Sequence, residues 1–354
     1  MPITIPADRR REVLEARQRW EDVLSGDLRA RAEVLETLST SDFPDLLGAS
    51  YARELLSEYQ AVSPVWSQWA TRVEVNDFKP KKLVEILGGR GQLSPVKEAG
   101  EYPARGVSTG AYEFQIGKFG DRIPLTWEMI VNDELGAFRG LPNRLAVAAR
   151  ETEDVEVAKS LFNAGGTNLN TQFFSSGNGN APTDLPLTGD NLAVALQTLR
   201  TRKDKDGRPI IVPTAILMVS PALENTARRI LEASEIRVTE GGVTTVQSNY
   251  LRGSVTLVVN PWLSLAAPGY SSLDTTWFLL PPTNSPRPAF VAAFLRGHGA
   301  PDLRVKADTG SSIGGGTLSP EDGSFDNDTI QYRVRHVMGG AGVIPTATYV
   351  SRGA

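Results

Sequence analysis

Apolar residues recur at helical spacing in the stretch from Ile130 to Phe162, the longest such pattern in the chain. Steps of three, four and seven residues separate the members of one stripe, which are Leu141, Leu145, Ala148, Thr152, Val155 and Phe162. Four charged residues fall off this stripe, namely Arg150, Glu151, Asp154 and Lys159. Pro142 suits a first helical turn and Gly165-Gly166 suits a helix end. The pattern predicts a spine helix within residues 140–163, about 30 Å long.

Residues 76–125 show the pattern of a long two-stranded hairpin. One arm covers Lys82–Leu87, and the other covers Tyr112–Phe119, where Tyr112, Phe114 and Ile116 alternate with polar residues. A glycine-rich, charged connection joins the two arms. Because an isolated two-stranded hairpin is only marginally stable in water, we expect another domain or a neighbouring subunit to cover it.

The remaining elements are shorter. Residues 7–39 predict one or two charged helices with a thin apolar stripe, which is typical of an arm that lies on a partner. Asp42 and Pro44 suit the start of a short helix. Residues 186–320 predict a compact α/β or α+β unit. The shorter helices are expected at Asp190–Arg200 and Pro221–Ala233, and the strands at Thr71–Val75, Ile210–Val219, Thr244–Gln247, Val255–Asn260, Thr276–Leu280, Ala289–Phe294 and Ile330–Val337. We expect the last strand to return to the first domain beside the spine helix.

Composition narrows the possible functions. The 354 residues carry a net charge of −4, so a broad basic surface for nucleic acid is not expected. The chain has no cysteine, which excludes disulfides and thiolate chemistry, and two histidines are too few for a multi-histidine metal site. No apolar run approaches ~18 residues, so we expect no membrane span. The N-terminal sequence lacks the apolar segment of a signal peptide.

Several short motifs suggest chemistry, but none of them is complete. Asp308-Thr309-Gly310-Ser311 matches an aspartic-protease loop, yet that mechanism needs two loops and the chain has one copy. The glycine-rich turn at residues 88–91 lacks the spacing and lysine of a phosphate loop. The acidic turn around Asp322 and Asp326–Asp328 lacks the spacing of a calcium loop. Catalysis by a serine and a histidine needs a serine on a strained turn such as G-x-S-x-G, and the sequence offers no such serine to pair with His298 or His336. The motifs therefore favour a protein with no catalytic residues, no metal site and no cofactor.

Beyond these local patterns, the chain resembles the major capsid proteins of tailed bacteriophages, and most closely the Mu-type major head subunit group. The resemblance covers about residues 41–350. The segments that carry it, in chain order, are Ser41–Pro44, Asp77–Lys79, Glu98–Tyr102, Asn132–Phe138, Phe174–Asn178, Ile216–Leu223 and Arg335–Gly340. Residues 1–40 and the loop near 308–328 depart from the pattern.

The resemblance implies an α+β fold of the Hong Kong 97 type. Residues 1–45 would then form an N-terminal arm, and residues 76–125 an extended hairpin called the E-loop. A peripheral domain with the spine helix would comprise residues 46–75, 126–185 and 321–354. Residues 186–320 would form an axial domain at the capsomer centres.

The resemblance also implies how the protein acts. Copies would self-assemble as pentamers and hexamers into an icosahedral shell that encloses double-stranded DNA without reading its sequence. The shell would form in the host cytoplasm and become the virion, with scaffold, portal and decoration proteins as further partners. The candidate contacts between subunits are Lys81, Lys82, Lys97, Glu101 and Arg105. Some members of this fold class cross-link a lysine to an asparagine, for which Lys118 and Asn327 are further candidates.

Two alternatives stay open at this point. An encapsulin-like compartment would have the same fold but would enclose a cargo enzyme in place of DNA. An aspartic-type hydrolase would use Asp308 as its catalytic residue.

Overall fold

The computed structural model describes most of the chain beyond residue 52. The described residues are 53–88, 107–126, 128, 141–203, 209–210, 212, 214–240, 243–285, 287–306, 324 and 326–353. The helices among them are α1 (53–61), α2 (Leu141–Lys159), α3 (Gly189–Thr201), α4 (Pro221–Glu232) and the short α5 (Leu263–Ala266).

The strands of the described part are numbered in chain order. They are β1 (Thr71–Val75), β2 (Lys81–Gly88), β3 (Val107–Phe114), β4 (Gly117–Phe119), β5 (Arg122–Thr126), β6 (Ala215–Val219), β7 (Glu235–Glu240), β8 (Val243–Ser248), β9 (Val255–Val259), β10 (Trp277–Leu280), β11 (Phe290–Leu295), β12 (Asp302–Lys306), β13 (Thr329–Gly342) and β14 (Tyr349–Ser351). Single 3₁₀ turns lie at Val65–Gln68, Ser176–Asn178 and Pro345–Ala347.

The chain divides into two compact units, and one of the boundaries between them falls within β13. The first unit takes in the described residues of Asp121–Asn143 and Leu303–Val334, together with residues 53–55. There, β5 pairs antiparallel with the first part of β13, from Thr126 opposite Thr329 to Arg122 opposite Arg333. Its apolar contacts are formed by Ile123, Leu125, Leu303, Ile330 and Tyr332.

The second unit contains a sheet that supports α2. β1 pairs parallel with β11, and β11 pairs antiparallel with the later part of β13. The side of β13 that carries Met338, Gly340 and Gly342 faces α2, because a Cβ on Gly340 would lie 2.5 Å from the Cα of Val157. Helix and strand backbones therefore touch at this point, and only glycine allows so close an approach.

A second, four-stranded sheet of this unit has the order β14-β10-β6-β9. β6 and β10 are completely buried, which explains why their sequences are continuously apolar. Helices α3 and α4 contribute to the core beside this sheet through Leu192, Leu196, Leu199, Ala227 and Leu231. The Thr188 side chain accepts a hydrogen bond from the Asn191 amide (3.2 Å) and caps the start of α3.

The α+β fold class predicted from the sequence is confirmed. The spine helix is present as α2, but the predicted stripe is wrong. Its exposed and half-exposed members include Ala148 and Thr152, whereas Asp154, which was expected off the stripe, is 4% exposed. The face that is buried contains Leu145, Ala146, Ala149, Glu153, Asp154, Val157, Ala158 and Leu161. The prediction placed the buried face wrongly because it considered only apolar residues, and two residues of the buried face are carboxylates.

Some strand predictions also need correction. The predicted second hairpin arm is two strands, β3 and β4, and the predicted strand Ile210–Val219 is reduced to β6. The last strand continues beyond Val337 through two glycines to Gly342, and β5, β7, β12 and β14 were not predicted. The limits of the peripheral and axial domains stay a prediction. β11 falls within the predicted axial domain, but it shares a sheet with β1 and β13, which fall within the predicted peripheral domain.

Candidate assembly element: the β2–β3 hairpin and its support

The β2–β3 hairpin forms a two-stranded sheet of its own. Its ladder runs through eight residue pairs, from Lys81 opposite Phe114 to Gly88 opposite Val107. Within the described residues, neither strand pairs with any other strand. The hairpin predicted from the alternating pattern is therefore present. Its first arm is longer than predicted by one residue at each end, and its second arm begins and ends five residues earlier than predicted.

The base of the hairpin is fixed to the second unit. Phe114 and Ile116 are 8% and 4% exposed, and they pack in a cluster with Val75, Val337 and other apolar residues of the sheet. The Gln115 side-chain amide donates to the carbonyl of Phe78 at 2.9 Å. These contacts anchor the start of the hairpin, so its direction is set by the sheet below it.

Two of the five predicted contact residues lie at this base. Lys81 Nζ binds the Asp77 carboxylate at 2.8 Å, and this hydrogen bond lowers the pKa of Asp77. Lys82 Nζ lies 3.0 Å from Glu113 across the ladder, and both side chains are more than half exposed. Such exposed pairs contribute little to stability, and the contact of Lys81 and Lys82 with a neighbouring subunit stays a prediction. Lys97, Glu101 and Arg105 lie outside the described residues.

Helix α2 is held to its sheet by a buried carboxylate that sequence reasoning did not identify. Glu153 is 0% exposed, and its Oε1 accepts from the Tyr59 hydroxyl at 2.5 Å and lies 2.9 Å from Nε2 of His336. Its Oε2 accepts from Trp66 Nε1 at 2.9 Å and from Arg150 at 3.1 Å. One side chain thus joins α2 to α1, to the 3₁₀ turn that follows α1 and to the middle of β13.

The neighbouring carboxylate, Asp154, holds the same segment by a different contact. Its Oδ1 accepts from the backbone N–H of Trp66 at 2.6 Å. Arg150 closes the other side of this cluster, because its guanidinium lies 3.5 Å over the Tyr59 ring and donates to the Tyr59 carbonyl at 2.8 Å. We call Tyr59, Trp66, Arg150, Glu153, Asp154 and His336 the helix-anchor cluster.

The two acids of the helix-anchor cluster differ in their electrostatics. Burial alone raises the pKa of Glu153, but hydrogen bonds from His336, Tyr59 and Trp66 outweigh it and hold the pKa below its ordinary value. Burial raises the pKa of Asp154 to about 6, because its hydrogen bonds to backbone amides compensate only in part. Burial, followed by the nearby charge of Glu153, also raises the pKa of Tyr59 well above its usual range.

The signal for this cluster was partly visible in the sequence. Tyr59, Trp66 and Trp69 stand out as aromatic residues before β1, and His336 falls on the predicted last strand. What periodicity could not reveal is that two adjacent acids point inward, since acids are normally assigned to the solvent face.

None of the other chemical motifs forms a site among the described residues. Asp308 and Asp322 lie outside the described residues. Where residues are described, no group of three or more histidine, cysteine or acidic side chains could hold a metal ion. The described helices include none that is long and apolar enough to cross a membrane.

The structure thus defines an α+β chain with a buried helix anchor and a separate two-stranded hairpin. The sequence profile of the family described as phage capsid protein matches residues 111–351, more than half of the chain. The chain belongs to this phage capsid protein family. The prediction of a phage capsid protein is therefore confirmed, and the match favours it over the compartment shell and the hydrolase.

Solved structures similar to this chain include three assembled particles. The acidic stable capsid of Helicobacter pylori bacteriophage KHP30 is 10% identical, with a TM-score of 0.49 and coverage of 82% of this chain and 91% of that chain. The capsid of the native GTA particle is 12% identical, with a TM-score of 0.47 and coverage of 82% and 90%. The virus-like particle from Pyrococcus furiosus is 11% identical, with a TM-score of 0.44 and coverage of 85% and 98%. A search of curated proteins finds no significant match.

Proposed function

We propose that this chain is the major capsid subunit of a tailed phage or prophage, and that its copies assemble into the icosahedral shell around double-stranded DNA. The observation that carries the proposal is the family match, which runs from within β3 to the end of β14. It includes α2, the helix-anchor cluster residues Arg150, Glu153, Asp154 and His336, and every described strand after β3. The role is structural, and assembly replaces catalysis as the mechanism.

The geometry of the hairpin supports assembly by interlocking. A two-stranded sheet with no further strand beside it is marginal in water, so cover from a neighbouring subunit would stabilise it. Because its base is anchored, the hairpin would extend toward a neighbouring subunit in a fixed direction. In the Hong Kong 97-type arrangement this hairpin is the E-loop, and Lys81, Lys82, Lys97, Glu101 and Arg105 remain the proposed contacts.

The net negative charge of the chain is consistent with a shell subunit. A net charge of −4 gives the subunit no general attraction for packaged DNA, so enclosure would not require binding. Pentamers and hexamers would form the shell in the host cytoplasm, and scaffold, portal and decoration proteins are the proposed partners. The subunit then resides in the virion.

The experiment compares the intact chain with a variant in which Lys81–Gly110 is replaced by a short glycine-serine linker. Phe114 and Ile116 stay in place, so the core below the hairpin is retained. Light scattering and negative-stain electron microscopy report assembly, and thermal unfolding reports folding. We expect shells from the intact chain and folded, unassembled subunits from the variant. Normal shells from the variant would refute the role of the hairpin, and intact chains that form no particles even with co-expressed scaffold would count against the capsid subunit itself.

A further inference from the structure

One Asn-Gly pair occurs in the sequence, at Asn178-Gly179, and it lies in the loop between α2 and α3. Asn178 ends the 3₁₀ turn Ser176–Asn178, and Gly179 follows in the left-handed region with a φ of 70°. Gly179 is exposed, and a Cβ built on it would meet no heavy atom of the described residues within 4 Å. Space and solvent are therefore available beside this pair.

An asparagine that precedes a glycine can lose its side-chain amide without an enzyme. The backbone nitrogen of Gly179 attacks Cγ of Asn178, the new N–Cγ bond closes a five-membered imide, and the Cγ–Nδ2 bond breaks. The proton of the attacking nitrogen leaves with Nδ2 as ammonia. Water then adds to either imide carbonyl and opens the ring, which leaves aspartate or isoaspartate. Glycine favours this reaction because it has no Cβ to obstruct the approach of its nitrogen.

In the folded chain, hydrogen bonds hold both nitrogens that take part. Asn178 Nδ2 donates to the carbonyls of Gln172 and Phe173 at 3.0 and 2.9 Å. The Gly179 N–H donates to the Ser176 carbonyl at 3.0 Å. Closing the imide would break these bonds and rotate Asn178 out of the turn, so the folded loop disfavours the reacting geometry.

The residue after this pair ties the loop to the core of the second unit. Asn180 is 2% exposed, and its Oδ1 accepts from the Ser175 N–H at 3.1 Å. Its Nδ2 donates to Thr348 Oγ1 at 2.9 Å and to the Pro345 carbonyl at 3.2 Å. These bonds fasten the loop to the 3₁₀ turn before β14, and they hold the turn that ends at Asn178 in its closed form.

We propose that Asn178-Gly179 is a modification site that deamidates when the loop opens and that the folded loop protects. The product is a carboxylate, which has no hydrogen to donate to the carbonyls of Gln172 and Phe173. The Phe173 ring packs against Gly342 of β13 and lies 4.7 Å from the Phe290 ring of β11. Deamidation would therefore loosen the contact of this loop with the sheet. The inference is independent of shell assembly.

Mass spectrometry of the full-length chain tests the modification. The chain is kept at mildly alkaline pH, either folded in buffer or unfolded in guanidinium chloride, and is then digested. Fragment-ion sequencing locates each exchange of NH for O. We expect conversion at Asn178 in the unfolded chain and a rate at least several-fold lower in the folded chain. Equal rates would overturn protection by the loop, and an unfolded chain that is not converted at Asn178 would overturn the site itself.

Asn180→Ala tests whether opening of the loop controls the rate. The matched control is Asn191→Ala, which removes a bond from Nδ2 to the Pro186 carbonyl (2.9 Å) beside α3. At a temperature at which both variants are folded, we expect Asn178 to convert several-fold faster in Asn180→Ala. If Asn180→Ala does not fold, Thr348→Val takes its place, because it removes one of the bonds to Asn180. Equal rates in variant and control would overturn the role of loop opening.

Asn178→Asp tests the consequence for the loop, because it introduces the carboxylate directly. The matched control is Asn163→Asp in the same loop. Asn163 Oδ1 accepts from the Thr167 and Asn168 amides, and a carboxylate can accept from them as well. We expect Asn178→Asp to lower the midpoint of thermal unfolding by more than Asn163→Asp does. Equal midpoints would overturn the loosening of the loop.

Discussion

Nε2 of His336 lies 2.9 Å from Oε1 of Glu153, and this contact joins the middle of β13 to the middle of α2 inside the second unit. The same carboxylate receives hydrogen bonds from Tyr59, Trp66 and Arg150. A buried charge with this many donors fixes the rotation of the helix, because turning α2 would leave the charge and its donors unpaired.

Replacing Glu153 should therefore cost more than replacing an acid elsewhere on the helix. Glu153→Gln removes the charge that four side chains share, and we expect the free energy of unfolding to fall by about 3 kcal/mol. The matched control is Glu151→Gln, two residues earlier and exposed, for which a change within about 0.5 kcal/mol is expected. Denaturant unfolding of the unassembled chain measures both, and equal losses would show that the cluster does not stabilise the helix.

The raised pKa of Asp154 predicts a distinct dependence on pH. Its ordinary value is 3.8 and burial brings it to about 6, so between these values the folded chain binds more protons than the unfolded chain. The free energy of unfolding consequently falls as pH rises through this window, by about 3 kcal/mol in all and by about 1 kcal/mol between pH 5 and pH 7. Glu153, whose pKa is lowered, acts in the opposite direction at lower pH, where stability is lost on acidification.

Asp154→Asn isolates this effect. The amide oxygen can still accept from the Trp66 N–H, but the group no longer titrates. We expect the variant to gain stability relative to the parent as pH rises from 5 to 7, whereas Asp190→Asn, on the exposed first turn of α3, should follow the parent profile. Parallel profiles for Asp154→Asn and the parent would show that Asp154 does not titrate in this range.

Much of the architecture could be predicted from the sequence because local patterns determined it. The buried strands β6 and β10 are continuously apolar, and the position of α2 follows from its length and its flanking proline and glycines. The helix-anchor cluster could not be predicted, since hydrogen bonds from residues as distant as Tyr59 and His336 are what allow Glu153 to be buried. Similarly, β13 extends through Gly339, which packs closely against the Gln115 backbone, and through Gly340, which packs closely against α2, whereas glycine in a sequence alone predicts a break.

That packing gives a third prediction. Gly340→Ala would place a Cβ 2.5 Å from Val157 Cα and 2.7 Å from the Glu156 carbonyl, both of which belong to a helix backbone that cannot easily move. We expect a loss of about 1–3 kcal/mol in the free energy of unfolding. Gly177→Ala is the control, because its Cβ would meet no atom closer than 3.9 Å. If Gly340→Ala were as stable as Gly177→Ala in thermal unfolding, the contact between strand and helix would have to be looser than described.

The exposed pair Lys82–Glu113 gives a prediction about assembly rather than folding. Exchanging the charges with Lys82→Glu and Glu113→Lys restores the attraction across the ladder, so the stability of the unassembled subunit should change by less than about 1 kcal/mol. If these charges contact a neighbouring subunit, the exchanged chain should still form fewer shells than the parent in light scattering. Normal shell yield from the exchanged chain would mean that the pair serves the hairpin alone.

Shell formation by this chain can be tested by negative-stain electron microscopy with light scattering on the purified full-length protein. We expect closed particles or capsomer rings tens of nanometres or less across. A chain that stays monomeric at high concentration, and also when a scaffold protein encoded beside it is co-expressed, would show that it is not a shell-forming subunit.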